Sequence, residues 1–259
     1  MADYLTTLFG LESKVVALTG AGGHLIGEMA RALGGAGMRV AVLDANLEQA
    51  RRVAAEIHAA GGEAIAEQLD VRSKTDHERV LATIVEKFGG LDCAVLGAGI
   101  NAPTPFLDIS VEEWNNILAV QLTGTMLGLQ VFGAQMLSRH KGSIVTISSA
   151  SAGPPLSKAF TYSVAKAAVK NLTQNVAREW ATSNVRVNAL RPGFFPTEWS
   201  MKHFITPERE AAILGHTAMK RYGQPQELVG AVLWLLSDAA GFVTGAEIAV
   251  DGGFSAMTI

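Results

Sequence analysis

Val15-Val16-Ala17-Leu18-Thr19-Gly20-Ala21-Gly22-Gly23-His24-Leu25-Ile26-Gly27 is the stretch on which the reading of this chain turns. Five apolar or β-branched residues run into a glycine-rich turn, and a segment of helical periodicity follows. Glycine lets the backbone bend sharply and lets another group approach the main chain closely. A helix starting there offers free N–H groups and the positive end of its dipole to whatever lies in front of it. Such a turn also serves ordinary tight bends. Its place between a first strand and a first helix is what points to a phosphate-bearing ligand.

Outward from that turn, short β-rich runs alternate with helix-period segments. Strands are expected at 15–19, 39–43, 64–69, 93–96, 143–147, 185–190 and 247–250. Helices are expected at about 25–35, 46–60, 75–88, 111–138, 159–182 and 225–237. The strands are apolar throughout rather than alternating, as strands covered on both faces are. Strand–helix alternation with right-handed crossovers predicts an α/β fold: a doubly wound parallel sheet in three layers, α/β/α. No repeat or Pro/Ser-rich linker divides it, so residues 1–259 read as a single domain. The segment 194–224 breaks the rhythm after a strand end, with Pro196, Pro207 and several aromatics, and is read as a substrate lid.

Composition narrows the class. The 259 residues are 49% hydrophobic and 17% charged, enough apolar material for a large core, and the net charge of −3 argues against a nucleic-acid partner. Cys93 is the single cysteine and sits in an apolar run, where an inert buried thiol is expected. The N-terminus lacks a secretory pattern, and the apolar tract from Leu228 to Leu236 is too short to span a bilayer. The expectation is a cytoplasmic protein without a membrane partner. The histidines His24, His140, His203 and His216 show no metal-ligand spacing, and no metal is expected.

The second strand run is followed by Asp44, twenty-four residues after Gly20. A carboxylate there accepts hydrogen bonds from both hydroxyls of an adenosine ribose and repels a 2′-phosphate, which favours NAD over NADP. Asn46 is the better helix cap of the two. Asp70, after the third strand run, is placed to meet an adenine amino group. Tyr162 and Lys166 lie four residues apart on one helical face. A phenol titrates near pKa ~10, and a neighbouring ammonium is expected to lower it towards the working range of an acid/base catalyst. Ser149 closes the fifth strand run, thirteen residues upstream of Tyr162.

With Pro192-Gly193-Phe194-Phe195-Pro196-Thr197 after the sixth strand and Val250-Asp251-Gly252-Gly253 near the C-terminus, the chain resembles the short-chain dehydrogenase/reductases of the NAD(P)-binding Rossmann class over essentially its whole length. The resemblance implies an oxidoreductase interconverting a secondary alcohol and a ketone. It implies Tyr162 as acid/base, Ser149 as the group holding the substrate oxygen, and Lys166 as partner of the ribose hydroxyls and of Tyr162. It further implies cofactor contacts from Gly20, Gly23, His24, Leu25, Ile26, Val71, Ala98, Gly99, Pro192, Gly193, Phe195 and Thr197. A homotetramer acting on a small-molecule substrate is the family expectation.

Three departures stand out. His24 and Ile26 occupy positions where the family usually has glycine, and Gly27 compensates if the turn is shifted by one residue. Leu96-Gly97-Ala98-Gly99 replaces the family's Asn-Asn-Ala-Gly. Gln121 stands where the family has an active-site Asn, and is kept as a member of the catalytic set. The tail 216–225 and the stretch 192–197 resemble sugar-acid and polyol members, fructuronate reductases above all. Those members carry an Asn-Arg pair soon after the Thr; here Glu198-Trp199-Ser200-Met201-Lys202-His203 follows, leaving Lys158, Lys202 or His203 to meet a carboxylate. Phe194, Phe195, Trp199 and Phe204 equally suit a more apolar or cyclic alcohol, and a reductase of 3-oxoacyl thioesters or a cyclic ketone is the second enzyme reading. A non-catalytic dinucleotide-binding sensor is the reading of another class.

Overall fold

A computed structural model describes residues 4–154, 156–197, 201–202 and 205–258. Seven strands form one parallel sheet in the order β3-β2-β1-β4-β5-β6-β7. They are β1 (Val15–Thr19), β2 (Arg39–Asp44), β3 (Glu63–Gln68), β4 (Cys93–Leu96), β5 (Gly142–Ile147), β6 (Val185–Pro192) and β7 (Glu247–Val250). The helices are α1 (Tyr4–Phe9), α2 (His24–Gly35), α3 (Leu47–Ala59), α4 (Lys74–Phe88), α5 (Val111–Leu118), α6 (Gly124–Ser138), α7 (Phe160–Trp180), α8 (Pro207–His216) and α9 (Val229–Leu236). The seven strands and the helices α2, α3, α4, α7 and α9 match the expected ones within a few residues at their ends, whereas α1 and α8 were not expected.

The two sheet faces explain why the strands are apolar throughout. Val16 and Leu18 of β1 and Val40 and Val42 of β2 join a core with α2, α3 and α9. Val15, Ala17, Ala41 and Leu43, their neighbours in sequence, join a second core with α4 and α6. Alternate side chains thus leave on opposite faces, and both faces are covered. The edge strand β3 is only partly buried, and its sequence EAIAEQ shows it.

Helix starts follow local chemistry. Asn46 accepts a hydrogen bond from the Gln49 N–H at 3.2 Å, and Ser73 accepts from the Asp76 N–H at 3.1 Å. After α4 the chain stops at Gly89 with φ +83°, a left-handed cap that favours glycine. The single long helix expected at 111–138 is corrected: a π-helical segment, Ala119–Thr123, interrupts it and contains Gln121. This run is long and apolar enough to cross a membrane, with mean hydropathy 1.5, yet Leu129, Val131, Phe132 and Met136 are buried against the sheet. It is a core helix of the α/β domain.

The chain runs outward from β1 to β3 and returns to start β4 beside β1. Both strands adjoining β1 therefore lead away in opposite directions, which leaves a crevice beyond the carboxyl ends of β1 and β4. The Thr19 hydroxyl crosses that point, accepting from the Gly97 and Ala98 N–H groups at 3.1 and 3.3 Å.

Candidate active site

The glycine turn occupies one side of the crevice. Gly20 has φ +74°, and a Cβ there would stand 2.7 Å from Ala98 Cα. Gly22 donates its N–H to Asp44 Oδ2 at 2.9 Å, and a Cβ on it would meet Gln49 and that carboxylate. Gly23 starts α2 without any side-chain cap, so the first-turn N–H groups of His24, Leu25 and Ile26 face the crevice unserved by a neighbouring side chain. The other Asp44 oxygen accepts from Asn46 N at 2.9 Å, and four lone-pair sites leave room for ribose hydroxyls. A cradle that only glycine fits, an uncapped helix start and a carboxylate one strand away match a dinucleotide.

The turn is not shifted. Gly27 lies inside α2, where a Cβ would come 3.1 Å from Ala21 O and 3.4 Å from Val53 Cγ2. The first two departures prove to be one feature: Ile26 extends over Gly97, and a methyl group on Gly97 would overlap the end of its side chain. Bulk added on α2 is matched by bulk removed after β4.

Asp70 is more engaged than the sequence suggested. Arg72 grips its carboxylate with Nε at 2.9 Å and Nη2 at 2.7 Å, and those bonds hold its pKa below the ordinary value. Val71 packs instead under the interrupted helix, where a Cβ on Gly124 would touch it.

Ser149, following β5, and Tyr162, in the first turn of α7, line one cleft of about 550 Å³. Gly99, Gly193 and Phe195 line it too, so residues following β4, β5 and β6 converge there. Gly193 donates to Val250 O at 3.0 Å and lies so close to β7 that a Cβ would stand 2.6 Å from Asp251 Cα. Phe195 packs on Gly223. His24, Pro196 and Thr197 line a neighbouring cavity of about 700 Å³ with Glu28 and Tyr222.

Lys166 is buried behind Tyr162, its Nζ 5.5 Å from the ring centroid and donating to Ile147 O at 2.8 Å. Burial lowers the ammonium to about 7. The expected lowering of Tyr162 is corrected: burial pushes the phenol above its ordinary value, and only the Ser149 hydroxyl acts the other way. The reason is physical. A low-dielectric site penalises both ions, and a lysine that sheds its proton near neutrality supplies little field to its neighbour.

Gln121 is fully buried and stands behind the cleft wall. Its Nε2 donates to Ile100 O at 2.7 Å, and its side chain fills the space that Gly99 leaves open. The Gln121 Oε1 has no partner. The extra methylene thus carries the amide to the loop after β4. Cys93 is the inert thiol expected, buried against Leu236 O with its pKa pushed up to about 12.

Lys158 and Lys202 are exposed and do not line the cleft; Glu198, Trp199, Ser200, His203 and Phe204 lie outside the described residues. The structure adds residues that periodicity did not single out: Asn101, Ser151, Ile205, Arg209 and Ile213 line the cleft. Only Thr206-Pro207, a cap followed by a first-turn proline, signals the helix that carries Arg209 and Ile213.

A family model described as enoyl-(acyl carrier protein) reductase matches residues 25–255. An uncharacterized oxidoreductase of Bacillus subtilis is 37% identical, over 96% of this chain and 97% of its own. A galactitol 2-dehydrogenase (L-tagatose-forming) of Cereibacter sphaeroides is 36% identical, over 98% and 99%. A solved structure from Haemophilus influenza, named by inference as a D-mannonate oxidoreductase and carrying bound NAD, superposes with TM-score 0.90 at 34% identity, over 96% of this chain and 97% of that one.

Proposed function

Because the chain belongs to the short-chain dehydrogenase/reductase family, whose members are oxidoreductases acting on CH–OH groups, we propose that it is an NAD(H)-dependent enzyme interconverting a secondary alcohol and a ketone on a sugar acid, sugar or polyol. The observation that carries this reading is the convergence of Ser149 and Tyr162 on one cleft, backed by Lys166, beside the glycine cradle.

The bound dinucleotide supplies the hydride acceptor in oxidation and the donor in reduction. In oxidation the substrate hydroxyl hydrogen-bonds Ser149 Oγ and Tyr162 Oη, and its proton passes to the Tyr162 phenolate. In reduction the Tyr162 phenol returns that proton to the carbonyl oxygen, while Ser149 holds the oxygen in place. Lys166 would hold the nicotinamide ribose hydroxyls by donating to them from its ammonium; such bonds would favour its charged form, and a charged Lys166 would stabilise the Tyr162 phenolate. Gln121 acts as a positioning residue through the Ile100 carbonyl. Asp44 favours NAD by accepting from both ribose hydroxyls and opposing a 2′-phosphate.

Absorbance at the NADH band, with NAD or NADP and a panel of aldonates and alditols, tests the assignment. Tyr162→Phe is expected to lower turnover by about 10³-fold or more, while NADH binding, read by its fluorescence, is kept. Turnover surviving in Tyr162→Phe would remove the tyrosine from its role.

A further inference from the structure

We infer that Arg209 of α8 is the carboxylate anchor of the catalytic cleft, which makes the preferred substrate a hydroxy acid rather than a neutral polyol. This rests on the oxidoreductase reading above and adds to it the charge of the substrate. Arg209 lines the same cleft as Ser149 and Tyr162. Its Nη1 donates to Ser157 Oγ at 3.1 Å and its Nη2 to Ser157 O at 2.9 Å. A guanidinium has five N–H donors, so these two bonds fix the head group and leave three donors unspent. Among the described residues no carboxylate pairs with it.

The position is built rather than incidental. Thr206 caps α8 by accepting from the Arg209 N–H at 3.3 Å, and Pro207 occupies the first helical position. The ties to Ser157 then join α8 to the loop that leads into α7 and Tyr162. Ile205 and Ile213 flank Arg209 on the cleft wall, and the same apolar surroundings partly desolvate it. A partly desolvated guanidinium with unspent donors, beside apolar side chains, is suited to a bidentate carboxylate. Asn101, which also lines the cleft, provides a donor and an acceptor for further substrate hydroxyls. The oxygen that reacts sits at Ser149 and Tyr162, and the acid group of the same molecule sits at Arg209.

The test compares D-gluconate and D-mannonate with the matched alditols, sorbitol and mannitol, in wild type, Arg209→Gln and Arg209→Lys. Wild type is expected to prefer an aldonate over its alditol by about tenfold or more in kcat/KM. Arg209→Gln is expected to raise the aldonate KM about tenfold or more with kcat little changed, while alditol turnover falls far less. Arg209→Lys should recover part of the loss, because it keeps the charge and forfeits the fork. An aldonate KM unchanged in Arg209→Gln, an equal loss for alditol and aldonate, or a wild-type preference for the alditol would overturn the anchor. No turnover on either class despite NADH binding would count against the sugar-substrate reading, and calorimetry of the enzyme–NADH complex then decides the anchor. Aldonate binding lost in Arg209→Gln upholds it; no aldonate binding to wild type sinks it.

Discussion

Burial and hydrogen bonding pull Tyr162 in opposite directions, and in the chain alone burial prevails. On the role proposed for it, a phenol raised by burial would depend on nearby positive charge to give up its proton. Asp44 shows the same economy at the other end of the crevice. One carboxylate braces the glycine turn through Gly22 and Asn46 and, on the function proposed above, would also meet a ribose. Asp44→Ala is therefore expected to lower the ratio of kcat/KM with NAD to that with NADP by about tenfold or more. Steady-state kinetics with both dinucleotides checks this, and an unchanged ratio would mean that Asp44 only braces the turn.

His77 of α4 is a residue whose titration reports on its element. It is fully buried, its Nδ1 lies 2.9 Å from Ser73 O, its ring stacks at 5.6 Å from Phe132, and its Nε2 has no partner. Burial lowers its pKa, although Asp70 and Asp76 act the other way. Below the ordinary value of about 6.5 the unfolded chain binds this proton and the folded chain resists it, so stability is lost as pH falls through that range. Urea midpoints between about pH 5 and about pH 7 should rise with pH, with a shallower slope in His77→Gln. The pairing of Ile26 on α2 with Gly97 after β4 makes a second prediction. Gly97→Ala should destabilise by about 1–3 kcal/mol, and Ile26→Ala should recover part of that loss. Additive losses in a double-mutant cycle would show that the two positions are independent.

For the whole molecule, one group of exposed apolar side chains borders α5 and α7. Phe106, Leu107 and Val111 lead into α5, and Phe160 and Val164 stand on the outer side of α7; Leu107 is 93% exposed, and the Phe106 and Phe160 rings meet at 5.6 Å. A contiguous apolar patch of that kind favours burial against another copy. Light scattering is expected to give four times the 27.3 kDa of one chain, and Leu107→Asp together with Val164→Asp should lower that mass. A wild-type mass of one chain would remove the tetramer.

The sequence by itself determined the order of the strands and the doubly wound sheet, because these follow from local periodicity, and it marked Ser149, Tyr162 and Lys166 through motifs that resemble those of a known family. Asn46 as a helix cap and Cys93 as an inert core thiol were legible for the same reason: each depends on its immediate neighbours. What depends on residues distant in the chain was decided by tertiary structure alone. The interruption of the 111–138 helix, the complementarity of Ile26 and Gly97, and the burial that reverses the expected shift of Tyr162 appear only in the folded chain. Arg209 belongs with them. Nothing in its own segment marks it, and it becomes a candidate binding residue only because the fold ties α8 to Ser157 and brings a guanidinium to the cleft that Tyr162 lines.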